Sequence, residues 1–427
     1  MNPSRDVGCL ERAACRNAYA HRVTLDIASI RAGFPALERV LDGRQVAYLD
    51  GPGGTQVHSS VIEAMSGFMV RGGSNHGGSF VTSVETDAVA ADARAGVADL
   101  FGARPNEIVF GQNMTSLTYA MSRALARTWR AGDNIILTRL DHDANVSPWM
   151  QAVADAHVEV RFVDFDPNDG CDLVLGTLDA ALDDRSRLVA FPLASNAVGT
   201  ITPVTDIVRK AHSAGALTYV DAVHYTPHGL LDVVESGTDF LVASAYKWFG
   251  PHTGCLYGRG ELLGELVPYR LRPAPSEAPG KWETGTQSFE SLVGVSAAVD
   301  YIASLGTGAD RRDQIVSAYK AIDEYETSLA NRFLAGIGSM PRISLFGHRT
   351  AGGRTPTFAV DVDGVPPKAV ASSLGASGCF VWSGDYYAWE VMRRLGKAPG
   401  GLVRIGFVHY NTEQEVDRVL AALADLS

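Results

Sequence analysis

The segment Asp239-Phe240-Leu241-Val242-Ala243-Ser244-Ala245-Tyr246-Lys247-Trp248-Phe249-Gly250-Pro251 governs the reading of the whole chain. Its first half is a short apolar run of the kind that forms a buried strand. Its second half sets one lysine between two aromatic residues, and Gly250-Pro251 then breaks the element. No carboxylate lies close to Lys247 in sequence, so burial there lowers its pKa. A depressed amine is a nucleophile, suited to a covalent bond with a carbonyl. The simpler reading is a solvated lysine at a strand end. The groups delivered beside Lys247 decide between the two.

Working outward, short β-rich runs alternate with helical segments. Strands are predicted at 45–50, 107–110, 134–138, 158–163, 187–193, 217–222, 239–243 and 254–257. Helices are predicted at 57–70, 84–101, 115–130, 145–156, 177–182 and 204–213, and the glycine-rich stretch 71–78 reads as a loop. This rhythm predicts an α/β fold, a mostly parallel seven-stranded sheet covered on both faces. The rhythm stops near Leu305. A long helix at 311–334 leads into a region with strands at 357–362 and 402–408, a small α+β domain. Asn411-Thr412-Glu413-Gln414-Glu415 holds a capping box for a last helix. The expected division is an extension over 1–22, a large domain over 23–305 whose first segment packs on the small domain, and a small C-terminal domain over 306–427.

Open parallel sheets bind ligands at the carboxyl ends of their strands. After 107–110 comes Gly111-Gln112-Asn113-Met114-Thr115-Ser116, a helix start whose N–H groups and hydroxyls suit a phosphate, although an ordinary N-cap has the same composition. The next strand ends are followed by Asp141-His142-Asp143-Ala144-Asn145, by Ser195-Asn196, by Asp221-Ala222-Val223-His224, and by Ser244 and Lys247. An aspartate directly after Tyr219-Val220 in an apolar run is not what a solvated rim requires. Pyridoxal phosphate needs a lysine for its aldehyde, an anion site for its phosphate and an acid against its ring nitrogen, and this set supplies all three.

Composition sets the outer limits. At 427 residues the chain holds two domains or one large and one small, and a hydrophobic fraction of 46% is that of a globular protein. A net charge of −11 without a basic stretch argues against nucleic acid, and no apolar run approaches a membrane span. Five scattered cysteines suggest neither a disulfide framework nor a zinc site, and fit a reducing cytoplasm. Residues 1–21 are polar, with no apolar core of a secretory signal.

Taken together, Asp-His-Asp-Ala-Asn at 141–145, Ser-Asn at 195–196, Asp-Ala-Val-His at 221–224, Ser-Ala-Tyr-Lys at 244–247 and Arg404 ahead of Tyr410-Asn411-Thr412 resemble the class V aminotransferase family of fold-type I pyridoxal-phosphate enzymes. Within it the chain is most similar to the cysteine desulfurases, from about Val46 onward. The resemblance implies that Lys247 holds the cofactor and moves the Cα proton, that Asp221 pairs with the ring nitrogen, and that His142 stacks on the ring. It implies Asn196 and His224 at the phenolic oxygen, and Met114, Thr115, Ser244 and Tyr246 around the phosphate. Desulfurases usually carry glutamine at 224 and histidine at 246. Thr286 matches a threonine that reaches the phosphate of the other subunit, which implies a homodimer with active sites at its interface. Arg404 matches the arginine that grips the substrate carboxylate, with Asn196 and Trp382 beside the substrate; its simpler reading is a surface arginine.

The chain departs from the desulfurases where they carry a mobile persulfide cysteine at the end of Arg-Thr-Gly-His-His-Cys. The matching stretch here is Trp382-Ser383-Gly384-Asp385-Tyr386-Tyr387, and Tyr387 stands at the cysteine's place. Cys379 lies in an apparent strand and reads as a core residue. His76-Gly77-Gly78-Ser79-Phe80 also lacks the arginine and second histidine of the closer desulfurases. The expected pocket is less cationic and more aromatic, for a larger or conjugated amino-acid substrate. The first reading is a C–S β-lyase acting on cysteine, cystine or a cysteine S-conjugate. The alternatives are desulfurase-like chemistry, transamination, epimerisation or decarboxylating deamination of a conjugate. A reading of another class is a non-catalytic sulfur-transfer binding partner, against which Lys247, Asp221 and Arg404 together speak.

Overall fold

The structure is a computed structural model and describes residues 23–426. The expected extension over 1–22, with Cys9 and Cys15, lies outside the described residues. The central sheet has seven strands: β1 (Ile108–Gly111), β2 (Asn134–Thr138), β3 (Glu159–Val163), β4 (Ser186–Pro192), β5 (Leu217–Asp221), β6 (Phe240–Ser244) and β7 (Gly254–Gly258). Their order is β1-β7-β6-β5-β4-β2-β3. Only β7 is reversed, antiparallel to both β6 and β1. The other neighbouring pairs are parallel.

Successive strand residues feed opposite faces, as the pleat requires. Phe110, Ile136, Val189, Val220, Leu241 and Ala243 belong to one core. Val109, Ile135, Leu137, Leu188, Tyr219 and Val242 belong to the other. Each buried Val or Leu contributes on the order of 2 kcal/mol over an exposed one. The inner strands are apolar through their middles because both faces are covered, while the edge strand β3 carries Glu159 and Arg161.

The helix expected at 115–130 spans Met114–Ala126, and a turn donated from Thr128 N–H to the Leu125 carbonyl at 2.8 Å ends it early. Trp129 is buried all the same. The helix expected from Asn145 begins instead at Ser147. Pro148 fits the first turn of a helix, and a short 3₁₀ turn, Asp143–Asn145, precedes it. The freed Asn145 side chain donates to Asp141 at 2.9 Å and accepts from Trp149 Nε1 at 3.0 Å.

The C-terminal region holds an antiparallel sheet of β8 (Ile343–Phe346), β9 (Thr357–Val362), β10 (Trp382–Gly384) and β11 (Leu402–Gly406), in the order β8-β9-β11-β10. Phe333 and Ile337 of the helix Arg311–Ile337 and Val416 and Val419 of the helix Glu413–Ala424 pack with Phe358, Val403 and Ile405. The early segment joins this region: Ala47–Tyr48 pairs in parallel with Cys379–Phe380, and Asp50 bridges Gly406. The strand expected at 45–50 is therefore broken into the end of Arg44–Gln45, which pairs with Val40–Leu41, the two-residue strand Ala47–Tyr48 and the bridge at Asp50. Among the described residues no helix is long and apolar enough to cross a membrane.

Candidate active site

Because β1, β2, β4, β5 and β6 run the same way, their carboxyl ends open on one side. A cavity of about 1000 Å³ lies there, lined by residues that follow each of them and closed by β10 and β11. Eleven of the twelve residues singled out in the sequence line it: Met114, Thr115, His142, Asn196, Asp221, His224, Ser244, Tyr246, Lys247, Trp382 and Arg404. Thr286 does not. It is exposed on the loop after Glu283, whose carboxylate is held by Arg94 at 2.7 Å and by the Phe110 N–H at 2.9 Å.

Lys247 ends a single 3₁₀ turn after β6. Its Nζ donates to the Pro52 carbonyl. Burial first, and then the positive charge of Arg404, push its pKa down to about 7, while Asp221 and Asp50 pull it back up. Half of this amine is thus neutral near pH 7. Asp221 closes β5, is 5% exposed, and accepts from the Val223 N–H at 2.9 Å. Burial raises its carboxyl to about 6, held in check by that bond and by Lys247.

His142 accepts from the Ala144 N–H through Nδ1 at 3.0 Å, so the ring proton sits on Nε2. Burial, then Lys247 and Arg404, press its pKa to about 3, so the ring is neutral at physiological pH. His224 meets Thr355 Oγ1 at 3.0 Å, and burial holds it well below the usual histidine range. Asn196 donates to the Tyr386 carbonyl at 2.9 Å, while its Oδ1 is buried with no partner.

At the helix start Asn113 caps the Ser116 N–H at 2.9 Å, and the Met114 N–H donates to Ser244 Oγ at 2.9 Å. The Thr115 hydroxyl is turned toward Met114 Sδ at 3.6 Å. The surface reading of Arg404 is overturned: it is 5% exposed. Its Nη1 donates to the Asn196 carbonyl at 2.9 Å, and its guanidinium lies 4.4 Å from the Tyr386 ring centre. Burial lowers its pKa to about 10, so it stays charged at neutral pH. Trp382 is its cross-strand neighbour and is 54% exposed at the mouth.

Other residues of the cavity escaped the sequence reading. His252 stacks on Tyr246 with ring centres 4.8 Å apart and planes 10° apart. It enters because β7 runs backwards, so its amino end lies at the site. The apolar run 254–257 carried no direction, so that edge of the sheet was not searched. Asp50 does not line the cavity but acts on Lys247 from behind it; its Oδ1 is buried without a partner, and burial raises its pKa to about 6. Tyr386 and Tyr387 both hold positive φ, at 56° and 57°. Their turn is fastened by Tyr386 OH to the Leu402 carbonyl and by the Asp143 N–H to the Tyr387 carbonyl at 2.6 Å. The Tyr387 ring stacks on His142, with centres 5.5 Å apart.

One expected result follows from Lys247. Capture of pyridoxal phosphate by the cofactor-free protein, followed by absorbance, should fall roughly tenfold from its plateau by pH 6, since only the neutral amine attacks. Arg404→Leu should move that midpoint upward by removing a neighbouring cation. A wild-type rate still climbing between pH 8 and 10 would place Lys247 in water.

Residues 47–419 match the sequence model of the family described as Aminotransferase class-V. A cysteine desulfurase of Enterobacter sp. (strain 638) is 32% identical over 421 residues, covering 94% of this chain and 98% of that protein. A probable cysteine desulfurase 2 of Mycobacterium leprae is 30% identical over 419 residues, with 93% and 96% covered. The apo structure of a cysteine desulfurase from Thermococcus onnurineus NA1 superposes with a TM-score of 0.84 at 26% identity, covering 93% of this chain and 97% of that one. A cysteine desulfurase of Escherichia coli in an S-sulfonic acid form gives 0.81 at 26% identity, with 94% and 98% covered.

Proposed function

The chain belongs to the class-V aminotransferase family of pyridoxal-phosphate-dependent enzymes, and from that premise we propose that it is a C–S β-lyase acting on cysteine, cystine or a cysteine S-conjugate. The observation that carries the reading is the wall where a sulfur carrier would stand. Tyr387 lines the cavity there, in a turn fastened by its neighbours. Among the described residues the cysteines are Cys171, Cys255 and Cys379, all buried and none lining the cavity. Burial lifts each of their thiols, Cys171 to about 11, which disfavours the reactive thiolate.

The residues present fit the cofactor. Lys247 offers a half-neutral amine for an aldehyde, and Asp221 is a buried acid for a ring nitrogen. Met114, Thr115 and Ser244, with the helix start behind them, would hold the phosphate. Tyr246 would flank it, His142 would cover the ring, and His224 would stand with Asn196 at the phenolic oxygen. When bound, pyridoxal phosphate supplies the electron sink that lets a bond at the substrate Cα break.

The protein's own groups do the rest. Arg404, charged and buried, binds the substrate carboxylate and so fixes the Cα–H bond toward Lys247. Lys247 Nζ takes that proton. The Cβ–S bond then breaks with its electron pair on sulfur, and the thiol leaves without a protein nucleophile. A thiol with a reference pKa of about 8.5 is a sufficient leaving group. Water completes the products, pyruvate and ammonia. We also propose a homodimer, supported by exposed Thr286 on a loop anchored through Glu283.

The deciding assay offers cysteine, cystine and S-conjugates to the purified protein and scores thiol or sulfide, pyruvate and keto acid separately. Pyruvate equimolar with the released sulfur compound is the expected outcome: sulfide from cysteine, cysteine persulfide from cystine and thiol from an S-conjugate. Alanine without pyruvate would mean a desulfurase, and a keto acid retaining its sulfur a transaminase. Alanine at all five cysteines should leave turnover within about twofold, since the three described ones are buried away from the cavity and mainly affect packing. Lost turnover with the cofactor still bound, together with persulfide trapped on Cys379, would overturn the lyase.

A further inference from the structure

The charges lining the cavity do not balance at its mouth. Among the described residues its lysines and arginines are Lys247 and Arg404 alone, and its carboxylates are Asp143, Asp221 and Asp385. Under the proposed function Lys247 takes the cofactor, Arg404 the substrate carboxylate and Asp221 the ring nitrogen. Asp143 and Asp385 are left over.

Both residues bond the backbone of Tyr387, and all three line the cavity. The Asp143 N–H donates to the Tyr387 carbonyl at 2.6 Å, and Asp385 Oδ1 accepts the Tyr387 N–H at 3.0 Å. Tyr387 is 71% exposed and Trp382, on the adjoining strand, 54%. Asp143 Oδ2 also accepts the Ser147 hydroxyl at 2.6 Å. The nearby arginines are committed elsewhere: Arg139 and Arg393 to Glu390, and Arg394 to Asp164 at 2.8 Å. Hydrogen bonds therefore orient these two carboxylates, and among the described residues no arginine forms an ion pair with them.

Two carboxylates without an ion pair among the described residues line the same cavity as two exposed aromatic side chains, a composition suited to a cation. An ammonium is attracted to the face of an aromatic ring, and hydrogen bonds between charged groups are stronger than neutral ones. An anionic group at the same place meets like charge and no donor cation. A purely apolar group would leave the carboxylates facing it without a partner.

We propose that the mouth formed by Asp143, Asp385, Tyr387 and Trp382 selects substrates whose sulfur substituent carries a positive charge, an alkylammonium or similar cation a few bonds beyond the sulfur. This rests on the reading that the cavity takes an S-substituted cysteine. Cystine, whose far half carries both an ammonium and a carboxylate, suits this mouth less well than a conjugate with a net cationic tail.

The test uses the holoenzyme and three cysteine thioethers of similar size: S-(2-aminoethyl)-L-cysteine, S-propyl-L-cysteine and S-(carboxymethyl)-L-cysteine. Binding is read from the change in cofactor absorbance, whether or not the compound turns over. The aminoethyl compound should bind about tenfold more tightly than the propyl compound, and the carboxymethyl compound most weakly. In Asp143→Asn/Asp385→Asn the oxygen acceptors remain but the charge is gone, so the preference should shrink to within about twofold. The propyl affinity and the cofactor spectrum should hold, which separates lost charge from lost folding. Equal or tighter binding of the propyl or carboxymethyl compound by the wild type overturns the proposal. So does a preference that survives the double substitution. If the order of binding is as expected and no compound releases thiol, the lyase reading fails while the cation site stands.

Discussion

Lys247→Ala is expected to lose turnover by about 10⁴-fold or more, because one side chain carries both the covalent hold on the cofactor and the proton transfer at Cα. The wild-type protein should be yellow, and borohydride should fix the cofactor to the peptide that contains Lys247. The alanine variant should bind pyridoxal phosphate only reversibly, through the helix start at Met114 and through Ser244. No other lysine lines the cavity among the described residues. Lys247→Arg keeps a cation but no amine that is neutral near pH 7, so it should be as inactive as alanine. Turnover above a few per cent in either variant, or borohydride labelling at another lysine, would remove Lys247 from the centre of the site.

The sheet and its ligand edge were legible because buried parallel strands leave a strong trace. Phe240 to Ala243 is apolar throughout, and Ser244 and Lys247 follow at once. Polar residues at four further strand ends then had to converge, since the sheet places those ends side by side. What the sequence hid is non-local. The reversed strand β7 brings His252 to the cavity, and an apolar run of five residues says nothing about its direction. Arg404 was found by its motif, but its burial depends on Tyr386 and on the Asn196 carbonyl, which lie far from it in sequence. The imbalance at the mouth depends on contacts as well. Asp143 was read as part of a motif, and only the fold sets it beside Tyr387 and Asp385, more than two hundred residues away. Thr286 is exposed and lies outside the cavity, so the role its motif implies rests on the proposed second copy.

Asp221→Asn tests the other end of the proposed cofactor. The substitution preserves size, and its amide oxygen can still accept from the Val223 N–H that the carboxylate now holds at 2.9 Å. What disappears is a negative charge inside a dry pocket, where a charge placed for the reaction acts most strongly. Burial already costs this carboxylate, raising its pKa to about 6, and Lys247 helps to keep it ionised. A chain that places an acid there at such a cost is using the charge, and the group it faces should be a cation. Turnover should therefore fall by about 10³-fold. Cofactor affinity should change by no more than about fivefold, because the helix start at Met114 and the Ser244 hydroxyl are untouched. Asp221→Glu restores the charge but displaces it, so partial recovery is expected. The amine of Lys247 should also respond: losing its anionic neighbour lowers its pKa below the present value of about 7. The shift can be read in the pH dependence of cofactor capture by the cofactor-free variant. Unchanged turnover in Asp221→Asn, or a Lys247 midpoint that does not move, would place Asp221 outside the working site.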